Sequence, residues 1–394
     1  MKEKFENNED LNKLNFTKII NFIINFIKKV FVKYPVPVMF IIFLIVTIPA
    51  SGFSWKYLIN ELFNRLARNS FLVLSLLLPI MAGMGINFAM VLGAMAGQIS
   101  LILITDWSIV GLPGFFLAIL LAIPISILLG ILCGYILNRS KGREMVTSMI
   151  LGFFMNGFYQ FIVLYLMGPV IPIRNKLILL SRGFGIRNAV NLQGIRQCID
   201  DLIPLTILKT DYDPGIKIQV ATFFVIFLFC LFIVWFTKTK LGQDMRAVGE
   251  DRLIAESAGI NADQTRLIAI VISTILASIG QIIFLQNIGT LSTYNSHDQT
   301  GQFAAASLLV GGATVSTATI GNVFLGVILF HLMFIVSPMA GKNLIGNAQV
   351  GEYFRVFVSY GIIAIALVLY AWKRFKEKQK EREATRFREL NKSK

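Results

Sequence analysis

The chain has 394 residues, 55% of them hydrophobic and only 15% charged, with a net charge of +15. A soluble globular domain carries roughly a quarter charged residues, and here the charges fall in a few islands separated by long apolar stretches. This excludes a soluble enzyme with a large core and describes a polytopic membrane protein; the basic residues flank hydrophobic spans as anchoring charges do, which argues against nucleic acid as a partner.

Residues 1–15 are polar. Over 16–34, "FTKIINFIINFIKKVFVKY", the apolar residues Phe16, Ile19, Ile20, Ile23, Phe26, Ile27, Val30 and Phe31 recur at helical spacing, with Lys18, Asn21, Asn25, Lys28 and Lys29 on the other side. The pattern predicts an amphipathic helix, either in the membrane interface with its lysines at lipid headgroups or packed on the protein itself. It makes 1–35 an N-terminal unit, closed by Pro35 and Pro37.

Spans are predicted near 36–52, 68–82, 84–105, 114–137, 145–168, 217–236, 266–287, 302–316, 319–337 and 353–372. Twenty residues at about 1.5 Å each cross about 30 Å of hydrocarbon. The fold class is therefore all-α, a polytopic transmembrane bundle of about ten spans over 36–372, followed by a basic tail, 373–394. Two stretches read as broken helices. "LLLPIMAGMGINFAMVLGAMAGQIS" holds Pro79 and four glycines, and "GQFAAASLLVGGATVSTATIGN" holds Gly311 and Gly312 among small polar residues. Broken backbone at membrane depth persists only where protein or a water-filled cavity satisfies it. One such segment in each half points to an inverted internal repeat with a solute path at its interface.

Orientation follows the basic residues in short loops. The opening segment, "NRSKGRE" (138–144) and the tail share one side, which places both termini in the cytoplasm. Loop 169–216 then lies outside, and segment 238–265 inside.

Reactive chemistry is sparse. Asp106 and Glu144 stand at span ends, His331 is the one ionisable candidate read within a span, and His297 falls in a loop. An ion-coupled carrier places a carboxylate or histidine at the midplane. GxxxxGK[ST], HExxH and GxSxG are all missing, and so is a CxxC pair. ATP phosphates, metal and covalent catalysis thus have no motif, and no cofactor is expected. Energy for transport has to enter from another subunit.

Segment 238–265 is charged and rich in small residues. A short helix is predicted over 250–258, interrupted from what precedes by Gly249. Glu250 and Asp251 suit its positive N-terminus, and Gly259 a left-handed C-terminal cap. Ala255, Ala258 and Gly259 would let a partner approach the backbone closely.

"RAVGEDRLIAESAGIN" resembles the coupling-loop motif of ABC-importer permeases of the branched-chain amino acid, ribose and nucleoside type, with Arg246, Gly249, Glu250, Ala255, Ala258, Gly259 and Ile260 at the matching positions. "GAMAGQISL" (93–101) and "LLVGGATVSTATIGNVFLGVIL" resemble the family's Gly-Gln and Gly-Gly stretches. "LNRSKGREMVTSMILGFFMNGFYQFIVLYLMGPV" is most similar to the nucleoside and simple-sugar branch. The resemblance covers roughly 70–372. The chain departs from the pattern at Gln98-Ile99-Ser100-Leu101, which lacks an acid seen in the ribose branch, and at Val91-Leu92-Gly93.

The resemblance implies a permease paired with a second, identical or different permease. Cytoplasmic ATP-binding subunits would grip the coupling helix through Arg246, Gly249, Glu250, Asp251, Ala255, Ala258 and Gly259. An extracytoplasmic substrate-binding lipoprotein would deliver solute, and the site of action would be the bacterial cytoplasmic (inner) membrane. Membrane lipid is a further partner, through the interfacial helix and tail. The path would be lined by Asn87, Gln98, Ser100, Asn156, Gln281, Gly311, Gly312 and Thr314, whose amide, hydroxyl and backbone groups suit a neutral polar solute. The same residue types also hold spans together. A branched-chain amino acid permease and an ion-coupled carrier stay open as alternatives.

Overall fold

A computed structural model of the chain describes residues 34–209, 215–347 and 349–357, with isolated positions beyond. The helix expected over 16–34, the last span over 353–372 and the tail 373–394 fall largely outside the described residues.

The chain opens with α1 (Pro35–Ser51), started by proline in its first turn and ended by Gly52 at φ 68°. Helix α2 (Trp55–Leu74) is capped by Ser54, whose Oγ accepts from Tyr57 N at 3.3 Å. It begins well before the span expected at 68–82, which the structure splits between α2 and a short α3 (Leu77–Met81). The polar first half of α2 is helical because distant strands satisfy it. Asn60 Oδ1 accepts from Lys217 N at 3.0 Å, and Asn64 accepts from Gln219.

An irregular stretch and a 3₁₀ turn (Phe88–Met90) lead into α4 (Val91–Asp106). Helices α5 (Gly111–Arg139) and α6 (Glu144–Phe161) follow, α6 running into a π turn (Ile162–Leu166). Beyond a long loop holding β1 (Ala189–Asn191), β2 (Pro204–Ile207) and β3 (Ile216–Gln219) comes α7 (Val220–Phe236). Helix α8 (Lys240–Glu250) turns 74° away from it. Then come α9 (Arg252–Ser257), α10 (Ala262–Ile288), β4 (Thr290–Ser292), α11 (Asp298–Val310) and α12 (Ile320–Ile345).

The architecture is mostly helical. Among the described residues five helices are long and apolar enough to cross a membrane, or six if the bent α7–α8 pair counts as one. The strands form two antiparallel pairs, β1 with β4 and β2 with β3. Segment 302–316, expected to be one span, is helical only to Val310, because Gly312 adopts φ 84° and 313–319 leave the helix.

Helix α4 lies at the centre, with 83% of its apolar window buried. Glycines make this possible: a Cβ at Gly97 would stand 2.7 Å from Ser278 O, and one at Gly93 would overlap Thr274 O, so α4 and α10 touch backbone to backbone. Ionisable groups gather at the helix ends, Asp106 and Glu144 among them as expected. Arg266, only 4% exposed, pairs with Glu144 at 2.5 Å. Two buried carboxylates fasten the opposite end. Asp106 Oδ1 accepts from Arg174 N (2.7 Å) and Asn175 N (2.8 Å). Asp200 accepts from Gln286 Nε2 (3.1 Å), from Asn287 Nδ2 (2.7 Å) and from Thr222.

Candidate functional site

Two features gather the polar chemistry of the bundle, a buried network ahead of α11 and a capped hairpin at one end.

The network centres on His297, which precedes α11 and is fully buried. Its Nδ1 lies 3.0 Å from Gln98 Oε1 on α4, and its Nε2 lies 2.9 Å from Asn156 Oδ1 on α6. Gln98 Oε1 also accepts from Tyr159 OH at 2.9 Å, while Asn156 Nδ2 donates to Asp298 Oδ1 at 2.6 Å. Tyr159 sets its ring edgewise on His297, centroids 4.7 Å apart. A neutral imidazole has one N–H and cannot donate to both amide oxygens. Turning the Gln98 amide over resolves this, and its NH₂ is otherwise without a partner. Its two hydrogens then go to Tyr159 O and His297 Nδ1, and His297 Nε2–H donates to Asn156. Both imidazole nitrogens are then paired without a charged histidine in the bundle, and the Tyr159 hydroxyl hydrogen and the Gln98 carbonyl oxygen are left as the groups without a protein partner.

Beside it, Gln281 on α10 donates to Ser296 O at 3.2 Å and accepts from Thr300 Oγ1 at 3.1 Å. Three of the residues expected along a path, Gln98, Asn156 and Gln281, therefore hold the segment ahead of α11 to three different helices. Asn87 instead caps the 3₁₀ turn, accepting from Ala89 N at 3.0 Å, and Ser100 bonds Ala96 O in its own helix at 3.0 Å. Gly311, Gly312 and Thr314 lie at the other end of α11, about 20 Å away at 1.5 Å per residue. Gly311 O accepts from Asn322 Nδ2 at 2.7 Å, and Thr314 closes an exposed turn by accepting from Thr317 N at 3.0 Å. Gln98, Asn156 and Gln281 thus gather at one end of α11, and Gly311, Gly312 and Thr314 at the other.

Cavities flank α11. One of about 310 Å³ is bordered by Phe88, Met149, Asn156, Asp298 and Gln302. Another of about 250 Å³ is bordered by Asn69, Asn295, Gln299, Phe303, Ser307 and His331. Ser307 Oγ and His331 Nδ1 are buried there without a protein partner. Gln299 borders both cavities. His297 reads in the sequence only as a loop residue, and Asp298 and Tyr159 are not among the residues expected along a path. The polar run "NSHDQTGQ" ahead of α11 was the available signal, but Tyr159 reads as one aromatic among many. Among the described residues no three His, Cys, Asp or Glu gather closely enough to hold a metal ion.

The hairpin is α8 and α9. Thr239 caps α8, and Asp251 caps α9 by accepting from Leu253 N (2.8 Å) and Ile254 N (3.1 Å). Gly259, at φ 84°, ends α9, with Ile260 N donating to Ala255 O at 3.0 Å. The helix expected over 250–258 is shorter and divided differently. Gly249 and Glu250 close α8, because the extended backbone of Asp251 (φ −151°) is the break. Glu250 therefore does not serve the start of α9. Ala255 is also not offered to a partner: it is 3% exposed and packs on Val248 and Ala262.

What α9 does present outward is Leu253 (77% exposed) and Ile254 (67%), with Ala258 and Gly259 beyond them. Arg246 is exposed on α8. Arg252 bonds Glu256 (2.8 Å) and Asp263 (2.9 Å); the Glu256 bond, with Asp263 adding to it, holds its guanidinium above its ordinary pKa. Gly249 sits so tightly on Met81 O and Gly83 that a Cβ there has no room. The hairpin is thereby keyed to the break between α3 and the 3₁₀ turn.

The family pattern described as "Branched-chain amino acid transport system / permease component" matches residues 58–367. The chain is 23% identical over 295 residues to the nucleoside ABC transporter permease protein NupB of Lactococcus lactis subsp. cremoris (strain MG1363), covering 71% of each. It is 28% identical over 155 residues to the probable ABC transporter permease protein YphD of Escherichia coli (strain K12), covering 38% of this chain and 43% of that one. No solved structure matches. With a family match across most of its length, the chain belongs to the branched-chain amino acid transport system permease component family: it is a multi-pass ABC transporter permease.

Proposed function

We propose that this permease is the membrane-spanning subunit of an ATP-driven importer for a small neutral polar solute, a nucleoside or a simple sugar. Family membership implies ATP-binding subunits and a substrate-binding protein as partners. The hairpin carries the reading. An exposed apolar pair, Leu253 and Ile254, rides on a helix capped at both ends, and Gly249 locks that unit against Met81 and Gly83. Closure of an ATPase dimer on α9 would push through Gly249 onto the irregular stretch that begins α4. Side chains are shed from this contact so that backbone meets backbone, and such a joint passes on displacement instead of absorbing it.

In this reading the hairpin faces the cytoplasm, with both termini on that side, and loop 169–216 faces outward. Counting α1, α2, α11 and the segment from 349 as crossings beside the six long apolar spans gives ten. The irregular approaches to α4 and α11 are then equivalent parts of an inverted repeat. The cavities beside α11 are bordered by amides, hydroxyls and aromatic rings among aliphatic groups, with Asp298 the one carboxylate on the border among the described residues and already accepting from Asn156. This lining suits an uncharged solute with hydrogen-bonding edges, and the likeness to a nucleoside permease favours a nucleoside.

The test is uptake by proteoliposomes holding the permease with its ATPase and binding protein. Labelled uridine and adenosine should accumulate only with ATP. Accumulation by the permease alone under an ion gradient would overturn the importer assignment. Uptake of leucine but neither nucleoside nor ribose would overturn the solute class.

A further inference from the structure

A groove between α5 and α10, at the hairpin end of the bundle, has no part in the path or the joint. We infer that it binds the headgroup of an anionic phospholipid of the phosphatidylglycerol type. Its volume is about 670 Å³, and its border includes Tyr135, Asn138, Arg139, Lys141 and Leu267. Above it the two helices are in close contact, since a Cβ at Gly134 would stand 3.3 Å from Leu267 Cα. The groove therefore has a closed roof and an open flank.

Three observations select the occupant. The first is charge. Arg139 and Lys141 are exposed, and among the described residues neither forms an ion pair within 4 Å. The one acid on the border, Asp263, is engaged by Arg252 at 2.9 Å. The Arg139 guanidinium lies over the Tyr135 ring, 3.9 Å from its centroid, which holds it at the groove mouth. The second is hydrogen bonding. Asn138 Nδ2 donates to Asp263 O at 2.7 Å, while its Oδ1 is buried without a partner. A headgroup with hydroxyls beside its phosphate would supply that donor. The third is the apolar approach. Leu128 (67% exposed), Ile131 (47%), Leu132 (41%) and Tyr135 (53%) run up the same face of α5. An acyl chain laid along this stripe places its phosphate level with Arg139, the usual depth of a basic side chain at the membrane interface. A free phosphate would leave the stripe unused. A second protein copy would have to bury two cations against a single, already engaged acid.

The experiment is native mass spectrometry of the purified full chain released from micelles containing equal amounts of phosphatidylglycerol and phosphatidylcholine. Wild type should retain phosphatidylglycerol in preference. The double variant Arg139→Gln/Lys141→Gln should retain about tenfold less or lower, the size expected from two interfacial cations. Lys238→Gln/Lys240→Gln, which removes two cations outside the groove, should behave as wild type. Equal retention by the groove variant, or equal loss in both, would overturn the site. Displacement of the lipid by millimolar inorganic phosphate would reduce it to a free-anion site. A lipid-free dimer lost in the groove variant would hand the surface to a second copy. Unchanged helical circular dichroism in both variants separates lost binding from lost folding.

Discussion

Segments 237–261 and 167–219 are both polar insertions in an apolar chain, and they are built by opposite means. In the first, every stop and start is local. Thr239, Asp251 and Asn261 each accept from a backbone N–H within three residues, and Gly259 supplies its own left-handed turn. In the second, the fastenings come from far away. Asp106 takes Arg174 N and Asn175 N, Asp200 takes groups from α7 and α10, and β1 pairs with β4 about a hundred residues later. A locally capped unit keeps its shape while it moves against its neighbours, as a lever must. A segment stapled to several helices moves only when they do, which suits a cover over the opposite end.

The contrast breaks most sharply at the two points where each segment meets the bundle. Gly249→Val drives a branched side chain into Met81 O and Gly83. It should cost about 3 kcal/mol or more and abolish ATP-dependent uptake, seen as a lowered Tm with loss of transport. A variant with wild-type Tm and uptake would mean the hairpin is not keyed to the break before α4. Asp200→Ala should come next. It strands buried donors on Thr222, Gln286 and Asn287, at about 2–3 kcal/mol, and limited proteolysis should open 167–219 while 237–261 stays protected. Cleavage of both together would show that the two segments are not independent.

Asp251→Ala tests the local side and should have the smallest effect. Losing an N-cap costs about 1 kcal/mol. Hydrogen exchange should therefore quicken in 252–257 alone, with ATPase stimulation by the permease reduced but present. Faster exchange spreading into α10 would argue that α9 is not a separate unit.

The same division explains what could be read in advance. The end of α9 at Gly259 follows from a residue type acting on its immediate neighbours and lies where the pattern puts it, whereas Asp251, expected inside the helix as a charge suited to its N-terminus, stands just before α9 as its cap. The start of the helix lies elsewhere, because Gly249 reads in the sequence as a helix breaker. Its smallness serves a tertiary contact with Met81, and α8 continues through it. Helix α2 was missed over its first half for a related reason. Asn60 and Asn64 look like loop residues until β3 arrives to use them. Gln98 and Asn156 stand out in the sequence as polar residues in apolar helices. That they meet at His297 depends on α11 entering between α4 and α6.

Sequence alone determined that this is a helical membrane protein with a polar segment holding a short helix that ends at Gly259 and a family-specific motif, because hydropathy and left-handed glycines act within a few residues. Tertiary structure decided which polar groups share a site, where the cavities lie and what the hairpin grips. Those depend on helices far apart in the chain being brought backbone to backbone by small residues such as Gly97 and Gly249, where an added Cβ would have no room, and no local signal records which distant backbone will fill the space a glycine leaves.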